Sequence, residues 1–242
     1  EECTFYCESL VQLCESFGGI KAKLIVKETY LQLSWLSCTT AETLRSVENG
    51  LKVTIASKIE RALFLNCMLY CTLAEELHSQ QSPERAWEAV LNAQGCLKDY
   101  TDTETREIMI SAVGDTLCSI GKSKEGIEML KDELQKLTLN SQVQEKVLCL
   151  EALGQLCLVQ GLAQEANKYY SQAMDNLLND NGHVFLDLEC RIGILKAVVM
   201  ENGPSKEKAV SVKTLFSSAM KLPVCDEKVK ANLVDINPTS GR

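Results

Sequence analysis

Three stretches of this chain, spaced forty residues apart, carry one pattern: LAEELHSQQSPERAWEAVLNA at 73–93, VGDTLCSIGKSKEGIEMLKDE at 113–133 and LGQLCLVQGLAQEANKYYSQA at 153–173. Gly154 aligns with Gly114, Gly161 with Gly121, Glu165 with Glu125 and Leu177 with Leu137. One period earlier, Leu73 aligns with Leu153, Ala86 with Ala166, Ala93 with Ala173 and Leu97 with Leu177. A repeat of this length is one supersecondary unit that cannot bury its apolar face alone, so neighbouring units must stack. The period therefore restricts the fold before any other property of the chain is considered.

Within each unit a small residue sits in a first helix (Ala74, Gly114, Gly154) and another in a second helix (Ala86, Gly126, Ala166). Small side chains at these points predict two antiparallel helices in close approach. Leu73, Val113 and Leu153, with Val90, Leu130 and Tyr170, fill the space around the contact. Gly154 and Ala166 are expected to face each other across the third hairpin. Turns are expected at Pro83, Ser123, Ala163 and Pro204, and the two prolines suit the first turn of a helix, where the missing N–H costs no intrahelical bond.

A looser unit follows at 184–221, with Gly193 and Ala209 as its small residues. Upstream, KAKLIVKETYLQLSWLS and AETLRSVENGLKV read as another helix pair, with Thr39 and Glu42 forming a capping box. Residues 2–17 read as a single helix stopped by Gly18-Gly19. The chain thus divides into a single helix (1–19), the end of a preceding repeat, and a divergent helix pair (20–58). Three repeats (59–99, 100–139, 140–180), a divergent repeat (181–222) and a C-terminal linker or tail (223–242) follow. The expected fold is all-α, a solenoid of antiparallel helix pairs with about eleven helices and no strand.

The order small residue, large apolar residue, glycine at the turn, alanine, aromatic, alanine is carried by Gly154, Cys157, Gly161, Ala166, Tyr170 and Ala173. It resembles the tetratricopeptide repeat (TPR) family, over 59–179 most clearly and over 20–58 and 184–221 more loosely. The period is 40 where the family has 34, the first-helix tryptophan position holds Tyr70, Ile110 or Leu150, and the proline that closes the second helix is absent. The resemblance is therefore to a divergent, long-helix TPR-like array. It implies a right-handed superhelix whose concave groove binds a peptide or a partner helix.

Charge narrows the ligand. The chain carries a net −8, distributed as −2 over 1–60, −9 over 61–203 and +3 over 204–242. An acidic middle repels phosphate backbones, which argues against direct nucleic-acid binding. The longest uncharged apolar run, ALFLNCMLYCTLA at 62–74, is well short of the ~20 residues of a membrane span, so no membrane partner is expected. The start lacks the pattern of a signal peptide, and proline spoils the Asn237-Pro238-Thr239 glycosylation triplet. A chain opening on Glu1-Glu2 without methionine reads as an excised piece of a longer protein. The twelve cysteines include Cys67, Cys71, Cys149 and Cys157 inside helical apolar patterns, as reduced buried thiols do, and point to the cytoplasm or nucleus.

If the first helices line a groove, its walls hold Met68, Cys71, Glu75 and His78, then Ile108, Ser111, Asp115 and Cys118. Leu148, Glu151, Gln155 and Leu158 follow, then Arg191, Leu195 and Val198. The TPR domains that bind chaperones clamp a C-terminal carboxylate with Lys, Asn and Arg at such places. Here they hold acidic and neutral residues, so no chaperone C-terminal peptide is expected. Walls of this kind suit a basic or amphipathic segment; the competing reading is that these side chains are solvated or packed on their neighbours.

Other constellations give way to structural readings. Cys3/Cys7 and Cys67/Cys71 are i,i+4 pairs, but a closed zinc site needs two more ligands and the only histidines are His78 and His183; buried thiols are the reading, with no metal and no cofactor. Gly121-Lys122-Ser123 imitates the end of a P-loop, yet Thr116 stands where its first glycine belongs and a helix precedes it. Trp87 and Tyr169-Tyr170 read as packing residues, and Glu75-Glu76 and Asp132-Glu133 as parts of polar faces. No catalytic constellation emerges. The leading reading is a protein–protein interaction scaffold, not an enzyme. A second is the helical regulatory arm of a larger enzyme, such as a separase-like protease or a signalling ATPase, with its catalytic domain elsewhere. A 14-3-3 adaptor, similar in length and acidity, does not repeat at forty residues and needs a basic phosphate pocket.

Overall fold

The computed structural model describes residues 2–55, 59–101, 103–140, 143–177 and 184–202. Among the described residues there are ten α-helices and no strand. In the first half they are α1 (Glu2–Phe17), α2 (Gly19–Leu36), α3 (Thr40–Lys52), α4 (Glu60–Ser79), α5 (Pro83–Asp99) and α6 (Thr103–Ser119). In the second they are α7 (Ser123–Asn140), α8 (Val143–Val159), α9 (Ala163–Leu177) and α10 (Val184–Asn202). The fold is the all-α one expected. The eleventh helix of that expectation, with Pro204, Ala209 and the tail at 223–242, lies outside the described residues. The chain divides into two compact units, Glu1–Gly121 and Lys122–Arg242, a division that falls in the turn of the repeat at 100–139.

The turns explain why the repeat is read so easily. Pro83, Ser123 and Ala163 each open a second helix, and two residues before each the backbone takes a positive φ: 59° at Gln81, 69° at Gly121 and 74° at Gly161. At the first and third turns the closing bonds are those of a Schellman motif. Ser82 N–H donates to Leu77 O and Leu162 N–H to Cys157 O, both at 2.9 Å. At these two turns a left-handed residue lets the chain reverse in three residues and lay the second helix against the first. Farther upstream, Gly18 (φ 65°) separates α1 from α2, whose first residue, Gly19, also has a positive φ (83°), and Thr39 Oγ1 accepts the Glu42 N–H at 3.3 Å, capping α3.

In the first unit each helix packs on the next from α1 to α6, and α4 also packs on α2 and α6. Successive first helices therefore stack on one another as well as on their own hairpin partners, the manner of a helical solenoid. Leu31, Val47, Leu65 and Leu69 form a shared core for α2, α3 and α4, with Leu24, Leu51 and Phe64 around it. Burial of each such side chain is worth roughly 1.5–3 kcal/mol. Polar side chains hold the register. The Glu60 carboxylate accepts the Thr101 N–H at 3.3 Å, and the Glu75 carboxylate accepts the Thr116 hydroxyl at 3.3 Å, so two points on α4 are each tied 41 residues ahead.

Lys27 runs against the rule that lysines stay wet. Its side chain is 1% exposed, and its ammonium donates to Gly50 O at 2.8 Å and Asn66 Oδ1 at 2.6 Å. Gly50 belongs to the last turns of α3, where carbonyls carry partial negative charge, and its oxygen also accepts the Val53 N–H at 3.3 Å. Those acceptors make the burial tolerable, while desolvation pulls the Lys27 pKa down to about 8.

In the second unit α7 packs on α8, α8 on α9, α9 on α10, and α8 also on α10. Gly154 and Ala166 are both buried as expected. The space over Gly154 is filled by the Tyr170 ring, so close that a Cβ at 154 would stand 2.7 Å from its Cε2. The same ring lies closer still to Gly193 of α10. One aromatic residue is thus wedged between the glycines of two successive first helices. The reading of Glu133 requires correction, because it is buried and pairs with Lys136 at 3.4 Å, not part of a polar face.

Candidate functional site

An open pocket of about 260 Å³ lies among α8, α9 and α10. Helix α8 contributes Glu151, Gln155 and Leu158, spaced i, i+4, i+7 and so on one face. Helix α10 contributes Glu189, Ile192, Gly193 and Lys196. Between them the Tyr170 ring forms part of the wall, although little of it reaches solvent. The ring can stand there only because residues 154 and 193 have no side chains to displace it.

The electrostatics of this pocket are acidic. Cys190, buried on α10, has its thiol pushed up to about 12 by desolvation first and then by the charges of Glu151, Glu189 and Asp187. Lys196 adds one positive charge to the rim. The wall combines the Glu151 and Glu189 carboxylates with the apolar surfaces of Leu158 and Ile192. Among the described residues no group of three or more His, Cys, Asp or Glu is placed to hold a metal ion.

Three of the groove residues expected from the repeat, Glu151, Gln155 and Leu158, meet in this pocket. Arg191 and Leu195 do not line it; Arg191 Nε donates to Asp187 Oδ2 at 2.7 Å on its own helix, and Leu195 is half-buried. The reason is geometric. A pocket between two successive first helices uses facing sides of the pair, whereas alignment of repeats selects the same side of each. Glu189, Ile192 and Lys196 were missed for that reason, and the spacing around Gly193 was the signal that could have found them.

Leu148 and Val198, also expected in the groove, are half-buried on α8 and α10 and do not line the pocket; the remaining expected groove residues belong to the first unit. Glu75 and His78 are exposed on α4, and Ser111 and Asp115 half-exposed on α6. Glu75 leans onto α6, where Thr116 and Ser119 hydroxyls donate to it at 3.3 and 3.4 Å. Desolvation raises its pKa, those hydrogen bonds oppose the rise, and Asp115 adds to it. Glu75 therefore takes part in the contact between repeats. The structural residues Ala74, Ala86, Gly114, Gly126, Gly154, Ala166 and Tyr170 are all buried. The P-loop imitation is a helix turn, in which Lys122 pairs with Glu125 at 3.3 Å, and no helix among the described residues is long and apolar enough to cross a membrane.

No protein-family model matches the chain, and no curated protein sequence matches it.

Proposed function

We propose that this chain is a protein-interaction scaffold, a divergent TPR-like array that holds a basic or amphipathic segment of a partner in the pocket between α8 and α10. The observation that carries the reading is the convergence of Glu151, Gln155 and Leu158 with Glu189 and Ile192 around the Tyr170 ring. A lysine or arginine of the partner gains from the carboxylates, and an apolar neighbour on the same segment gains from Leu158 and Ile192. The net charge of −9 over 61–203 draws such a segment in from solution. Thiols buried inside helices fit the reducing cytoplasm or nucleus.

The test is surface-based kinetics of the chain against Arg/Leu peptides and their Glu/Leu counterparts. Glu151→Lys should slow association and flatten its salt dependence, since accessible charge acts mainly on encounter, whereas Leu158→Ala should chiefly raise the dissociation rate. Equal binding of the Glu/Leu peptides, or binding indifferent to both substitutions, would sink the proposal.

A further inference from the structure

The first unit holds a larger open space that the repeat pattern does not foresee. Helices α1 and α3 both pack on α2, and between them a groove of about 880 Å³ is lined by residues of all three helices. Its floor is made by Tyr30 and Leu33 of α2 with Val11 of α1. Leu33 and Val11 are buried, while at the rim Phe5 is 66% exposed and Leu36 47% exposed. A volume of this size lies in the range of ligand-binding clefts, ~300–1,000 Å³.

Charge decides what can lie there. Glu8 and Glu15 line the α1 wall and Glu42 the α3 wall, against the single cation of Arg45. Helix α1 carries acidic residues and neither lysine nor arginine, so a second copy of α1 would be repelled and an anionic lipid surface likewise. Burial and the neighbouring charge of Glu15 raise the Tyr30 phenol, with Arg45 opposing and Glu8 adding. Glu8 and Glu15 are seven residues apart on one face of α1, ~10.5 Å along the axis at 1.5 Å per residue.

We infer that the groove between α1 and α3 is a second protein-docking surface, which takes an amphipathic helix whose basic residues, seven apart, meet Glu8 and Glu15 and whose apolar face meets Phe5 and Leu36. It lies in a different unit from the pocket of α8 and α10 and does not depend on it. Helix-in-groove binding uses apolar anchors at helical spacing, with charge fixing register and direction. The groove supplies both, the charges from α1 and the apolar contacts from α1 and α2.

The probe is a synthetic 18-residue Lys/Leu helix with lysines seven apart, compared with its Glu/Leu counterpart, and titrated against the full chain by amide-resolved NMR. The expected result is saturable binding of the Lys/Leu helix alone, with shifts confined to α1, α2 and α3. Glu8→Gln with Glu15→Gln should weaken it roughly threefold to tenfold, the range for two accessible charge contacts. Glu128→Gln with Asp132→Asn, the same charge change at exposed positions of the second unit, should leave it unaltered, as should Glu151→Lys. All are surface changes, and unaltered melting curves confirm folding. Absence of saturable binding, equal binding of the Glu/Leu helix, or an equal loss in the Glu128/Asp132 variant would overturn the inference. Shifts on α8 and α10 instead would overturn it while supporting the pocket proposed above.

Discussion

The Tyr170 ring stands against the backbone of Gly154, where an added Cβ would lie 2.7 to 2.9 Å from three of its carbons. The ring cannot swing away, because Gly193 confines its other side. Gly154→Ala should therefore destabilise the second unit by about 1–3 kcal/mol through overpacking, less the ~1 kcal/mol that alanine gains over glycine inside a helix. Gly193→Ala should cost more, its approach to the ring being closer. Thermal melts of the single variants and of Gly154→Ala with Tyr170→Leu check this: the double variant should recover stability relative to Tyr170→Leu alone. If it instead shows the same loss as Gly154→Ala in the wild-type background, the ring is not the obstacle.

The turns before Pro83, Ser123 and Ala163 place a left-handed residue at one position, and only the first uses a residue with a side chain, Gln81 at φ 59°. Left-handed backbone costs an L-residue roughly 1–2 kcal/mol. Gln81→Gly should accordingly raise stability by about 1 kcal/mol, and Gly161→Ala should lower it by a similar amount. Urea midpoints at constant m-value would report both, and a destabilised Gln81→Gly would contradict the equivalence of the turns.

Lys27 makes the stability of the first unit depend on alkaline pH. Its pKa falls from 10.5 in the unfolded chain to about 8 in the folded one, so between these values the unfolded state binds more protons and stability rises with pH. The full window is worth on the order of 3 kcal/mol at ~1.4 kcal/mol per pH unit. Cys96, Cys157 and Cys190 act oppositely above about pH 9, since their folded pKa values lie at about 11, 11 and 12. The difference in unfolding free energy between wild type and Lys27→Met isolates the lysine and should grow from pH 8 to pH 10. A difference independent of pH would mean that the ammonium is not buried in solution.

Thiol chemistry should follow burial. Cys38 is exposed, whereas Cys67, Cys71, Cys149 and Cys190 are buried, and burial holds the Cys190 thiol protonated. Iodoacetamide at pH 7.5 should label Cys38 within minutes and the buried four only after unfolding, as read by mass spectrometry. Reductant should leave the melting temperature unchanged. Rapid labelling of Cys149 in the folded chain would contradict its position against Leu130 O at 3.3 Å.

The forty-residue period was enough to specify helix existence, the helix starts at Pro83, Ser123 and Ala163, and the buried positions Ala74, Ala86, Gly154 and Ala166. These depend on local backbone preference and on one-dimensional apolar spacing, both of which a linear string carries. Tertiary structure alone decided which small residue meets which neighbour, that Tyr170 serves Gly154 and Gly193 at once, and that Glu133 is buried. It also decided that Lys27 finds Gly50 O and Asn66 Oδ1 from 23 and 39 residues away, and that the α8 and α10 pocket uses Glu189 and Lys196 and not Arg191 and Leu195. Such pairings join side chains on different helices, and their register follows from how the helices rotate about their axes as they pack. A periodic sequence fixes the spacing of equivalent faces but leaves that rotation to the packing itself.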